Sequence, residues 1–192
     1  LGHGHNSADA LVAARHLAAA GWTVRHHFAA PDKPLADLTA QAAAGLGTRS
    51  EEFTPDSPDP AMPRPWVAVD ALCGIGARLP VTGPLATAIG RIQHWRDAHG
   101  ASVLAIDIPS GLDAANGQAT SPCVTADLTI TVAAVKRGLV HNPDAVGRLA
   151  LLPLATLPAP EIPGDHEEIL LTADVIGPWL PPRPHAMHKG TA

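Results

Sequence analysis

The sequence is short of cysteine, of positive charge and of long apolar runs, and each shortage removes a class of explanation. Cys73 and Cys123 are the only two cysteines in 192 residues, and neither lies at the spacing that zinc sites use. A reduced pair in a cytoplasmic protein is the expectation, rather than a disulfide scaffold. Thirteen Lys and Arg against eighteen Asp and Glu leave a formal charge of −5, with the basic residues thinly spread. That balance argues against a nucleic acid or a membrane surface as partner. No apolar stretch approaches the ~20 residues of a membrane span. There is also no signal-like segment, no Gly-x-Ser-x-Gly elbow and no Walker lysine motif. Eleven histidines are present, but His3/His5, His26/His27 and His185/His188 gain no third ligand at metal-like spacing. They read as solvated side chains.

What remains is a globular chain, 46% hydrophobic and 16% charged, long enough for one domain with a short appendage. Residues 9–20 are alanine-rich and end at Gly21, which predicts a helix with a glycine stop. Trp22–Phe28 alternates as a strand does, and 34–45 predicts a second helix. Ser50–Pro65, rich in proline and acids, reads as a surface loop. Trp66–Leu72 and Val103–Ile108 read as buried strands, and Leu128–Ala134 and Leu149–Leu154 as further strands. Between the first two, Leu85, Ala88, Ile89 and Ile92 form a helical stripe facing a sheet. A proline-rich tail follows Leu154, with a short helix near Thr172–Trp179. The alternation predicts an α/β fold with a mostly parallel sheet covered on both faces. The chain starts at Leu1 in what reads as a loop that ought to follow a strand, so sequence is expected to be missing before it.

Two of those strands deliver an aspartate to their C-terminal ends, Asp70 and Asp107, the edge where open α/β sheets bind ligands. Asp70 runs into Gly74-Ile75-Gly76, where glycine lets backbone approach a ligand closely. An acid inside an apolar strand needs a partner, and a cation or a ligand donor would supply one. Asp107 opens Asp107-Ile108-Pro109-Ser110-Gly111, where the Ser110 hydroxyl can turn to the same crevice. A self-capped turn accounts for Asp113 and Asn116 but not for Asp107. At the start of the chain, Gly2–Ala10 feeds the first helix and offers free N–H groups to a phosphate. The plainer reading is that Asn6 or Ser7 caps that helix and Asp9 complements its dipole.

Together these runs resemble the N-terminal epimerase domain of NAD(P)H-hydrate repair enzymes. The family's Gly-x-Gly-Asn-Asn-Gly-Gly-Asp loop, Asp-Ala-Leu-x-Gly-x-Gly turn and Asp-Ile-Pro-Ser-Gly-x-Asp turn correspond to Gly2–Asp9, Asp70–Gly76 and Asp107–Asp113. An Ala-Asp-x-Thr-x-Thr strand and a lysine follow, at Ala126–Thr131 and Lys136. The resemblance spans roughly residues 1–155 and implies a Rossmann-like three-layer αβα sandwich. Its implied domains are 1–160 for the epimerase and 161–192 for a linker toward an absent dehydratase. Leu180–Gly190 is similar to the segment that leads into that dehydratase in fused repair enzymes.

The implied substrate is NADH or NADPH hydrated at nicotinamide C6, whose two epimers the family interconverts. The implied binding residues are His5, Asn6, Ser7, Ala8, Asp9, Gly74, Ile75, Gly76, Ala77, Arg78, Leu79, Pro80 and Asp107. A potassium ion would be held by Asn6, Asp70 and Ser110, oxygen ligands suited to a hard cation. Asp107 is the candidate acid/base, with Lys136 beside it. Further expected partners are a second copy of the chain and a fused dehydratase. The sequence departs from the family pattern where His5, Ser7 and Ala8 replace an asparagine and two glycines. Cβ atoms at 7 and 8 are expected to crowd a phosphate. Two other readings stand beside the epimerase. One is a nucleotide-binding module that has lost catalysis. The other is a nicotinamide-dependent oxidoreductase, opposed by the missing third glycine and the missing ribose-binding acid.

Overall fold

Strands rich in β-branched and aliphatic residues build the frame of this computed structural model, which describes residues 1–46, 50–52, 65–154 and 178. The elements follow the order α1 (His5–Ala19), β1 (Val24–His26), α2 (Asp37–Ala44), β2 (Ser50–Glu52), β3 (Val67–Asp70), α3 (Gly83–His99), β4 (Ser102–Ile106), β5 (Leu128–Val132), α4 (Arg137–His141), α5 (Pro143–Val146) and β6 (Arg148–Leu152). All belong to the unit Leu1–Ala155. Strands β3-β4-β5-β6 lie in that order in one sheet, every pair parallel, and β1 and β2 form a second parallel pair. Leu1 and Gly2 run between the two sheets. The Ala29 N–H donates to the Leu1 carbonyl, and the Gly2 N–H donates to that of Ala71.

Register explains the layers. Ala68 pairs with Val103 and Asp70 with Ala105, so these four share one face. The buried Ile89, Ile92 and Trp95 of α3 pack there with Ala68, Val103 and Ala105. On the opposite face, Ala10 of α1 packs with Ala71 and Ile106. Helices on both faces of a parallel sheet make this an α/β, Rossmann-like fold, although the cover expected over β3 is partial, since Val67 and Val69 on the α1 side are exposed. Two glycines are fixed by close approach. A Cβ on Gly2 would meet the Leu72 carbonyl oxygen at 2.1 Å, and one on Gly138 would meet that of Asp113 at 2.1 Å. Gly138 therefore seats the start of α4 directly against the turn that follows Asp107.

Three sequence expectations need correction. The first helix begins at His5, not residue 9, so His5–Asp9 is helix rather than loop. Neither Asn6 nor Ser7 caps it, because the N-cap is Gly4 and no side chain bonds the exposed N–H groups. Alanine-rich sequence carries the helix back through Ser7, whose hydroxyl goes to the Ala71 carbonyl instead. Within the expected loop Ser50–Pro65, Ser50–Glu52 is a strand paired with β1. Residues 53–64, the helix near Thr172–Trp179 and the linker 161–192 lie outside the described residues, apart from Pro178. Asp113 and Asn116 do form self-capped turns. Asp113 accepts from Ala115 and Asn116 N–H, and Asn116 from Gln118 N–H.

Candidate active site

Parallel strands bring their C-terminal ends to one edge, and two polar clusters form there. The first is built on Asp70, the last residue of β3 and fully buried. Its Oδ1 accepts from the Leu72 N–H at 3.1 Å and the Ser110 hydroxyl at 2.7 Å. Its Oδ2 accepts from the Ser110 N–H at 2.8 Å. The Ser110 turn thus supplies two of the three hydrogen bonds that this buried carboxylate accepts. The Ser110 hydroxyl also accepts from the Cys73 N–H at 2.9 Å. All three donors to Asp70 are neutral. Burial pushes its carboxyl above the usual range, opposed by the bonds from Ser110 and Leu72.

Asn6, in the first turn of α1, completes this cluster. Its Nδ2 donates to the Cys73 carbonyl at 3.0 Å and the Ile106 carbonyl at 3.1 Å. Two carbonyl acceptors fix which side of the amide carries nitrogen. The Asn6 Oδ1 is then left buried with no hydrogen-bond partner among the described residues. A buried orphan acceptor is costly unless something positive or donating meets it.

The second cluster is built on Asp107, immediately after β4. Its backbone lies in the left-handed region at φ 68, which few residues other than glycine adopt. Aspartate and asparagine tolerate that conformation best. Its Oδ1 accepts from the Val132 N–H at 3.2 Å and, as an ion pair, from the Lys136 ammonium. The Thr131 hydroxyl stands 3.4 Å from the same oxygen. No hydrogen bond among the described residues engages the Asp107 Oδ2. Asp9, one turn beyond Asn6 along α1, responds to this charge. Burial raises its carboxyl first and the Asp107 charge second, with His5 opposing.

The remaining predicted residues divide by exposure. His5 is exposed, whereas Ser7 and Ala8 are buried. Their side chains are therefore packed into the fold. In the loop after β3, Ile75, Gly76, Arg78 and Pro80 are exposed. Ala77 and Leu79 pack against the core instead. Gly74 adjoins Asn6, since a Cβ built there would lie 3.5 Å from the Asn6 Cβ. Both thiols are free. Burial and then the Asp70 charge raise the Cys73 thiol, and push that of Cys123 up to about 11.

Sequence reasoning did not single out Thr131. Strand β5 buries Thr129 and Thr131 more deeply than its aliphatic residues. Two hydroxyls at inward positions of LTITV were the available signal.

The family model described as "YjeF-related protein N-terminus" matches residues 1–138, more than half of the chain. The bifunctional NAD(P)H-hydrate repair enzyme Nnr of Escherichia coli strain K12 is 34% identical over 98% of this chain and 36% of its own length. Enzymes of the same name match from Pyrobaculum aerophilum, 36% identical over 89% of this chain and 36% of the enzyme, and from Hyperthermus butylicus, 31% identical over 100% and 34%. The chain spans about a third of the length of these relatives. Among solved structures, the crystal structure of the yeast protein ynu0 (YNL200c) superposes with a TM-score of 0.57 and 18% identity. That match covers 73% of this chain and 59% of the yeast chain.

Proposed function

The chain belongs to the family of YjeF-related N-terminal domains, and from that premise we propose that it epimerises the hydrated forms of NADH and NADPH. The curated relatives are NAD(P)H-hydrate repair enzymes by name, and residues 1–138 of this chain match the YjeF-related model. The observation that carries the chemistry is the Asp107 carboxylate, held by one oxygen and open at the other. Inverting C6 of the hydrate requires its hydroxyl to leave and return on the other face, or the ring to open and reclose. Either route needs a proton delivered to an oxygen and then removed, by a group within hydrogen-bond reach. On this reading Asp107 Oδ2 exchanges that proton. Lys136 neutralises and holds Oδ1. The exposed edge of the loop at Ile75–Arg78 and the start of α1 at His5–Asn6 receive the rest of the nucleotide. Purified protein is expected to bring a single hydrate epimer to the equilibrium mixture faster than the spontaneous reaction, followed by chromatography. A ratio that stays on the spontaneous course would favour a silent nucleotide-binding module.

Potassium belongs to the same proposal. Asn6 Oδ1 is an orphaned acceptor among the described residues, Asp70 is a buried carboxyl whose donors are all neutral, and Ser110 links the two through Cys73. An amide oxygen, a carboxylate and a hydroxyl are the oxygen donors a hard cation takes, so the residues fit. Such an ion would offset the buried charge of Asp70 and set the turns on which Gly74 and Asp107 stand. Potassium at ten times its Kd is expected to raise the thermal midpoint by about 3 °C or more relative to lithium at equal ionic strength. Equal midpoints in the two salts would remove the ion from the account.

A further inference from the structure

The Lys136 ammonium has three protons and meets three acceptors: Asp107 Oδ1, Thr131 Oγ1 at 3.0 Å and the Val132 carbonyl at 2.8 Å. Every donor of the nitrogen is used within the protein. Lys136 therefore offers nothing further to a bound reactant and acts on Asp107 alone. Of its three acceptors, one is backbone and one is the aspartate itself. The remaining one, Thr131, is the only side chain that does nothing else in the reaction.

We propose that Thr131 is a positioning residue, whose hydroxyl completes the cage that locks the Lys136 ammonium against Asp107 and so aims the open oxygen of Asp107. Thr131 is fully buried. Its oxygen accepts from Lys136, and its own proton lies between the Ala134 carbonyl at 3.3 Å and Asp107 Oδ1 at 3.4 Å. The hydroxyl thus ties the ammonium to the turn that carries α4 as well as to the carboxylate. The need for such a tie follows from the surroundings. The side chains of Lys136 and Asp107 retain 18% and 16% exposure, so water competes for both. Asp107 also starts from a strained left-handed backbone, and its side-chain direction depends on contacts made from outside. With the hydroxyl replaced by a methyl, one ammonium proton turns to solvent and Oδ1 is held by fewer bonds. A carboxylate displaced by part of an ångström loses rate rather than binding.

This inference rests on the epimerase reading, and the test separates the two. Thr131→Val is expected to lower kcat by about 10–100-fold with KM within about threefold, while Thr131→Ser returns kcat to within about threefold of wild type. Equal loss in Val and Ser variants, or no loss in Val, would overturn the proposal. The second readout needs no activity. In the wild-type protein the Lys136 ammonium should give a slowly exchanging 1H–15N signal with a cross-peak to the Thr131 methyl. The ammonium signal itself, without the methyl cross-peak, should survive in Thr131→Ser and should vanish in Thr131→Val, with Lys136→Met supplying the assignment. Should the Val variant fail to fold, absence of the wild-type cross-peak overturns the cage and its presence supports it. If wild-type protein leaves hydrate epimers at the spontaneous rate, the epimerase reading fails, and the ammonium signal still decides whether Thr131 holds Lys136.

Discussion

Replacing Asp107 with asparagine is expected to lower hydrate epimerisation at least ~100-fold, the scale of a lost general acid/base group. The substitution suits the question because it leaves the backbone alone. Asparagine adopts the left-handed conformation about as readily as aspartate, and Asp107 sits at φ 68. The amide oxygen can still accept from Val132 and Lys136, as Oδ1 does now. What the amide cannot do is take up and return a proton at the second position. Melting curves of the variant should overlay those of the wild type to within a few degrees, while chromatography of the epimers shows the loss. Turnover equal to wild type would remove Asp107 from the mechanism.

The largest loss of stability is expected at the other aspartate. Asp70→Ala strands three buried donors at once: the N–H groups of Leu72 and Ser110 and the Ser110 hydroxyl. At about 1–3 kcal/mol for each unmet buried group, partly relieved by rotation of the hydroxyl, the loss is on the order of 4 kcal/mol. That is a large share of the ~5–15 kcal/mol of a typical domain, so urea midpoints should fall steeply. Ser110→Ala should cost less, because its backbone N–H still reaches Asp70. The pH dependence has a definite sign. In potassium-free buffer, burial raises the Asp70 carboxyl in the folded state, so the folded protein holds that proton more tightly than the unfolded chain. The resulting stabilisation is full below the ordinary carboxylate range and is lost as pH rises through the raised value. Asp70→Ala should lack that part of the slope. A variant as stable as wild type at neutral pH would contradict the network.

Much of the frame was legible in the residues. Apolar runs around Val69 and Val103 gave two neighbouring strands, of which β3 proved to be the edge of its sheet with Val67 and Val69 exposed, and the spacing of Ile89 and Ile92 gave the helix that covers their inner face. Asp70 stood out because a carboxylate in such a run needs a partner, and the Ser110 turn supplies two of its three hydrogen bonds. The start of α1 was misplaced for a local reason. Gly, His, Asn and Ser read as loop, whereas burial of Ser7 and Ala8 pulls those positions into the helix. Strand β2 was hidden among prolines and acids, since three residues carry too little periodicity to stand out. Thr131 was the costliest omission. It stood in the Ala126–Thr131 run as one of two inward hydroxyls, but its role is marked by its depth and its bond to Lys136.

One time course bears most directly on whether an anchored carboxylate at this strand edge turns over the hydrate. A single purified epimer of hydrated NADPH is mixed with wild-type protein in potassium buffer, and the opposite epimer is measured by chromatography from the first seconds. The account predicts that the opposite epimer appears at a rate proportional to protein concentration and reaches the same final ratio as the uncatalysed mixture. Appearance at the same rate with and without protein would contradict it.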